Sequence, residues 1–131
     1  TGHLVLATLH TSSAAQTVDR IIDIFPPHQQ NQVRLQLSLS LRSVISQQLL
    51  PKVGGGRIAT REIMINNAAV ANLIRENKVH EIDLVIETSA DIGMMSLNRS
   101  LVALVRQGEI SMEDALLYTT KPDEFNALIR G

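Results

Sequence analysis

Cysteine and tryptophan are absent from this 131-residue chain, and Phe25, Tyr118 and Phe125 are its only aromatic residues. Without cysteine there are no disulfides and no thiolate metal sites, which fits a reducing compartment. So few rings leave no platform on which bases could stack, so nucleic acid is not an expected partner. No apolar run approaches the ~20 residues that cross a bilayer, and no signal-peptide pattern is visible, so no membrane insertion is expected. A charge excess of one sign is lacking too: 12 basic and 13 acidic residues leave a net −1. That balance is uneven along the chain. Residues 1–75 hold seven Lys/Arg against three Asp/Glu, and residues 76–131 hold five against ten. Either this is ordinary surface composition, or the halves meet each other or a neighbouring copy with opposite sign. Also missing are a phosphate loop, a nucleophile triad, a zinc helix and an EF-hand loop. No metal site is expected.

What the chain does contain begins at once with "TGHLVLATLHTSSAAQ". The run from His3 to His10 is nearly continuous in apolar residues, as expected of a strand buried on both faces of a parallel sheet. A buried element so close to a first residue that is not methionine leads us to expect part of a longer protein. Ser13-Ala-Ala-Gln16 has the form of a capping box, and Ala14, Val18, Ile21, Ile22 and Phe25 follow at helical spacing until Pro26-Pro27. His28, between Pro27 and two glutamines, reads as a surface-loop residue.

The segment "VRLQLSLSLRSVI" fits two periods. Val33, Leu35, Leu37, Leu39 and Leu41 alternate like a strand, while Val33, Leu37, Leu41, Val44 and Ile45 form a helical face. Thirteen residues suit a helix better, so a helix to about Arg42 and an extended stretch to Leu50 are expected. Pro51 to Gly56 then reads as a turn and "RIATREIMI" as the returning strand of a hairpin. From Asn66-Asn67 onward only helical patterns remain, near 67–77, 81–87, 95–107, 111–118 and 123–130. The expected fold class is α/β, an α/β piece over 1–66 joined to a small all-helical bundle over 67–131.

Seven residues along a strand separate His3 from His10 by about 23 Å and put them on opposite faces. They cannot share one ion within that strand. His10 stands at the carboxyl end of the run, before hydroxyl residues and a helix start, where open α/β sheets bind ligands and helix N-termini attract phosphate. A hydrogen-bonded structural histidine and a ligand contact are both open at this point. The triple glycine at 54–56 is followed by a β-like pattern rather than by Lys-Ser/Thr and a helix, so it reads as a hairpin turn. His80 lies in the acidic half with no evident partner.

"TGHLVLATLHTSSA" resembles the histidine box of the secretion and type IV pilus motor ATPases. "AVANLIRENK", residues 69–78, is similar to the signature helix of the type IV pilus retraction ATPases, and "GMMSLNRSL" with "GEISMEDAL" resembles the end of the same proteins. The resemblance implies a RecA-like P-loop ATPase core over 1–66 and a helical carboxy-terminal domain over 67–131. It implies that His10 reports the phosphates of the nucleotide, that His3 supports the site, and that Thr8 and Thr11 flank it. Asn72, Arg75 and Glu76 become a retraction or partner surface, with Val70, Leu73 and Ile74 as core. Ala71 stands where the family commonly has arginine, and Asn77 where it has glycine.

The function so implied is part of a hexameric ATP-hydrolysing motor for pilus retraction and twitching motility. ATP and Mg²⁺ would be its cofactors in the full-length protein, and this chain alone, without the phosphate loop, would be inactive. Its partners would be further copies in a ring and the platform protein at the pilus base, on the cytoplasmic side of the inner membrane. Assembly and type II secretion ATPases share the box but usually carry a four-cysteine zinc element, which this chain lacks. A non-catalytic module that docks a partner through its tail helices is the reading of a different class.

Overall fold

The protein is described here by a computed structural model covering residues 2–131. Its first regular element is α1, Ala14–Asp23. Ser13 has extended backbone and its Oγ accepts the Gln16 N–H at 3.1 Å, which satisfies one of the donors a helix start leaves free. The Gln16 side chain closes the box one residue early. Its Oε1 accepts from the Ser12 N–H at 2.8 Å and the Ser12 hydroxyl at 3.0 Å. Ala14, Thr17, Val18 and Ile22 are buried, while Asp19, Arg20 and Asp23 face solvent.

The two prolines divide the work at the next boundary. Helix α2, Pro27–Ser40, begins on Pro27, whose missing N–H costs nothing in the first turn. His28 therefore lies in the first turn of a helix rather than in a loop, though it is exposed as expected. The helical period wins in the ambiguous segment. Val33 and Leu37 turn towards the core with Leu41, whereas Leu35 and Leu39 stay exposed. At the end of α2 the Asn66 amide donates to the carbonyls of Ser38 at 3.0 Å and Leu41 at 2.8 Å.

Strands β1, Ser43–Pro51, and β2, Arg57–Ile65, pair antiparallel from Ser43↔Ile65 to Pro51↔Arg57. Gly54, Gly55 and Gly56 in the connecting turn all have positive φ, which glycine adopts without strain. The inward face of the hairpin carries Ser46, Leu50, Thr60, Glu62 and Met64, and Ile45 and Leu49 lie on the open face.

Five helices follow: α3, Ala68–Arg75; α4, Ile82–Thr88; α5, Leu97–Arg106; α6, Met112–Tyr118; and α7, Pro122–Arg130. Asn67, Ser96 and Ser111 cap α3, α5 and α6 by accepting the N–H three residues on. Two hydrophobic clusters form. One joins Ala14, Val18 and Ile22 to Met64, Val70, Ile74, Ile82 and Ile86; the other joins Leu50 to Leu101, Val102, Ile110, Ala115 and Phe125. Each takes residues from both sides of residue 66.

A second expectation from the sequence fails. Residues 3–10 form no strand, and Leu4, Val5 and Leu6 are 81%, 78% and 88% exposed. A strand buried on both faces needs a neighbour on each edge and cover on each side. Among the described residues the only sheet is the β1–β2 pair, which leaves this segment without a partner strand. Thr1, the first residue of the histidine box, lies outside the described residues.

Candidate functional site

His3, Thr8 and His10 are exposed along this extended segment. Thr11 is half-buried and shares a hydrogen bond with the Thr17 hydroxyl; Thr17 in turn donates to the Ser13 carbonyl at 2.8 Å. Thr11, Ser12 and Ser13 are thus fastened to the first turn of α1, and His10 is the last residue before that attachment.

The first turn of α1 is itself held from β2. Glu62, 9% exposed, lies on the inward face of the hairpin, and its Oε1 accepts the Ala14 N–H at 2.7 Å. A short bridge brings Leu97 to the same cleft as Glu62: Ile63 donates to the Met95 carbonyl at 2.8 Å and Met95 donates back at 3.0 Å. Burial pushes the Glu62 carboxyl above its ordinary value of 4.5, as does the charge of Asp83. The Ala14 and Leu97 N–H groups and Lys121 oppose the shift without cancelling it. Sequence inspection overlooked Glu62. The available signal was an acid at an inward position of an alternating strand, between Thr60 and Met64.

Beside Glu62 opens a cleft of about 540 Å³, walled by the start of α1, by α4, by the start of α5 and by α7. Its rim carries two ion pairs, Lys121–Asp83 at 3.2 Å and Arg99–Glu87 at 2.9 Å, although Arg99 itself lies outside the lining. Ser12 and Ser13 line this cleft; His3, Thr8, His10 and Thr11 do not.

The second group of expected site residues lies at the far end of α3. Asn72, Arg75 and Glu76 are exposed, Arg75 donates to Asn72 Oδ1 at 3.3 Å, and Glu76 pairs with Lys78 at 3.6 Å. Val70 and Ile74 are fully buried and Leu73 is half-buried, so the apolar side of this helix is core. Asn77 has φ of +59°, in the left-handed region. Its N–H donates to Ile74 O at 3.2 Å, and the Lys78 N–H donates to Leu73 O at 2.8 Å, the paired bonds of a Schellman end. The backbone here is one that glycine adopts freely and asparagine tolerates. No hydrogen bond joins this surface to the histidine segment among the described residues.

The glycine run does not fit a phosphate cradle. It joins two strands rather than a strand to a helix, and a Cβ built on any of its three glycines meets nothing within 4 Å. The described residues also bring no three His, Cys, Asp or Glu side chains together in a metal-binding arrangement. No helix is long and apolar enough to cross a membrane among the described residues.

Comparison with known proteins gives a consistent set of likenesses. The family described as "Type II/IV secretion system protein" matches residues 1–117. The chain is 50% identical over 125 residues to the type IV pilus retractation ATPase PilT of Pseudomonas aeruginosa, covering 95% of this chain and 36% of that protein. It is 54% identical over 116 residues to a twitching motility protein of Neisseria gonorrhoeae, covering 88% of this chain and 31% of the other. The chain thus spans about a third of the length of the curated relatives it matches. A crystal structure of the pilus retraction motor PilT with bound ADP matches with a TM-score of 0.85 at 46% identity, over 97% of this chain and 35% of that one. The Legionella pneumophila ATPase DotB matches at 0.67 and 23% identity, over 82% of this chain and 29% of that chain, a likeness of fold alone.

Proposed function

The chain belongs to the family of type II/IV secretion system proteins, and on that footing we propose that it forms the carboxy-terminal part of a ring-shaped ATPase that retracts type IV pili. The observation that carries this reading is the near-complete likeness, 0.85 in TM-score over 97% of the chain, to a retraction motor solved with ADP. The likeness includes α3, whose Asn77 adopts the left-handed backbone that suits the glycine of the retraction signature.

In this reading residues 1–66 complete a RecA-like core and residues 67–131 form the helical domain of one subunit in a hexamer. ATP with Mg²⁺ supplies the phosphoryl chemistry from residues outside this chain. His10 senses the phosphates as a hydrogen-bonding imidazole, with His3, Thr8 and Thr11 in support. Nucleotide-dependent movement of the His10 segment shifts α1, because Thr11, Ser12 and Ser13 are bonded into its first turn. Asn72, Arg75 and Glu76 form a surface for the next subunit or for the platform protein at the pilus base, on the cytoplasmic face of the inner membrane. Movement of rigid bodies about such interfaces is an established way to convert site occupancy into force.

The test is His10→Ala in the full-length protein, with turnover and ATP binding measured separately. Turnover is expected to fall at least ~10-fold while the Kd for ATP changes by less than about threefold. Unchanged turnover removes His10 from the mechanism, and a wild-type protein without ATP turnover refutes the enzyme reading altogether.

A further inference from the structure

We infer that Glu62 is a positioning residue, the tie through which movement of the His10 segment reaches the helical tail. The inference deepens the proposed ATPase function and rests on it for its kinetic arm. Its geometric ground is independent. Ala14, the first residue of the ten-residue helix α1, donates its N–H to this nine-tenths-buried carboxylate at 2.7 Å, and β2, which carries Glu62, is joined to the start of α5 by the Ile63–Met95 bridge and by the Thr60–Ser100 hydrogen bond. A positive helix end favours a negative group beside it.

The tie joins parts of the chain that are remote in sequence. The Glu62–Ala14 bond spans 48 residues. On one side, every hydrogen bond from Thr11, Ser12 and Ser13 stays within the first turn of α1, so that stretch moves with the helix. On the other side, Asn98 in the first turn of α5 donates to the Lys121 carbonyl at 3.1 Å, which carries the connection to the start of α7.

A buried carboxylate is a poor choice for stability alone, because burial opposes its charge. It is a good choice for direction, since its Oε1 accepts from the fixed Ala14 N–H at short range. The groups facing it on the cleft are Asp83 of α4 and Lys121 before α7, already paired with each other.

Two variants break the tie from opposite ends in the full-length protein. Glu62→Gln replaces the charged acceptor of the Ala14 N–H by a neutral amide oxygen, which weakens the bond and removes the charge beside the α1 N-terminus. Ala14→Pro deletes the donor at a first-turn position where proline is tolerated. Each is expected to lower kcat for ATP by roughly 10-fold or more, with KM within about twofold. The double variant is expected to be no worse than the more severe single one, since both cut the same connection. Glu87→Gln, on the same cleft but paired with Arg99, is expected to leave kcat unchanged.

Unaltered kcat in Glu62→Gln, additive losses in the double variant, or failure of both singles to fold would each overturn the inference. Amide hydrogen exchange separates this from the fate of the enzyme reading. If wild-type protein lacks ATP turnover, that reading fails, and the tie is judged by exchange alone. Glu62→Gln should then speed exchange at Ala14 by ~10-fold or more while hairpin amides keep their protection. Unchanged exchange at Ala14 refutes the tie.

Discussion

Replacing Asn77 tests how α3 ends, and with it the helix that carries the proposed retraction surface. Asn77 sits at φ +59° just beyond that helix, and two main-chain bonds depend on the conformation: Asn77 N–H to Ile74 O at 3.2 Å and Lys78 N–H to Leu73 O at 2.8 Å. An ordinary L-residue pays about 1–2 kcal/mol to enter the left-handed region, and asparagine pays less. Glycine pays nothing there, but its freer unfolded chain returns about 0.4–1 kcal/mol of the gain. The balance makes Asn77→Gly neutral to stabilising by up to ~0.5 kcal/mol, and Asn77→Ala destabilising by ~1 kcal/mol. For a chain of this size the alanine change should lower Tm by roughly 3–5 °C. Urea denaturation followed by circular dichroism gives both signs from two curves with a shared slope. If Ala is neutral, or Gly is as damaging as Ala, the left-handed end of α3 is not what holds those two bonds.

Two further expectations rest on burial. Phe125 is fully enclosed beside Leu50, Leu101 and Ala115, so Phe125→Ala should cost about 3–5 kcal/mol in denaturant unfolding, against under ~0.5 kcal/mol for a change at exposed Leu117. Glu62 supplies a pH dependence. Its folded-state pKa lies above 4.5, chiefly because of burial, so between these values the folded protein holds a proton that the unfolded chain has lost. That contribution to stability is fully present below pH 4.5 and disappears as pH rises through the folded-state pKa. Glu62→Gln should remove this part of the slope in stability-versus-pH curves; an unchanged slope would mean the carboxyl is not held as described.

Much of the local structure was readable because its causes are local. Ser13, Ser96 and Ser111 cap helices through bonds spanning three residues, and the triple glycine marks the hairpin turn through backbone freedom alone. The segment 33–41 was harder, since alternate leucines satisfy a strand and a helix equally in one dimension. Packing of Val33 and Leu37 against the α1 cluster decided it, with Leu35 and Leu39 left outside. The candidate site divides the same way. The histidine box and the α3 signature show in the string of residues, whereas Glu62 does not, because its main partner Ala14 is 48 positions away.

By itself, then, the order of residues determined several helix starts through their caps, where the chain reverses, and which stretch is too apolar to be content in water. Tertiary structure alone decided which apolar faces meet, placed one buried acid against the start of α1, and left residues 3–10 without a partner strand among the described residues. The physical reason is range. Capping and turn geometry are settled by neighbours within a few bonds, while burial, strand pairing and the charge state of Glu62 depend on groups that only the folded chain brings together.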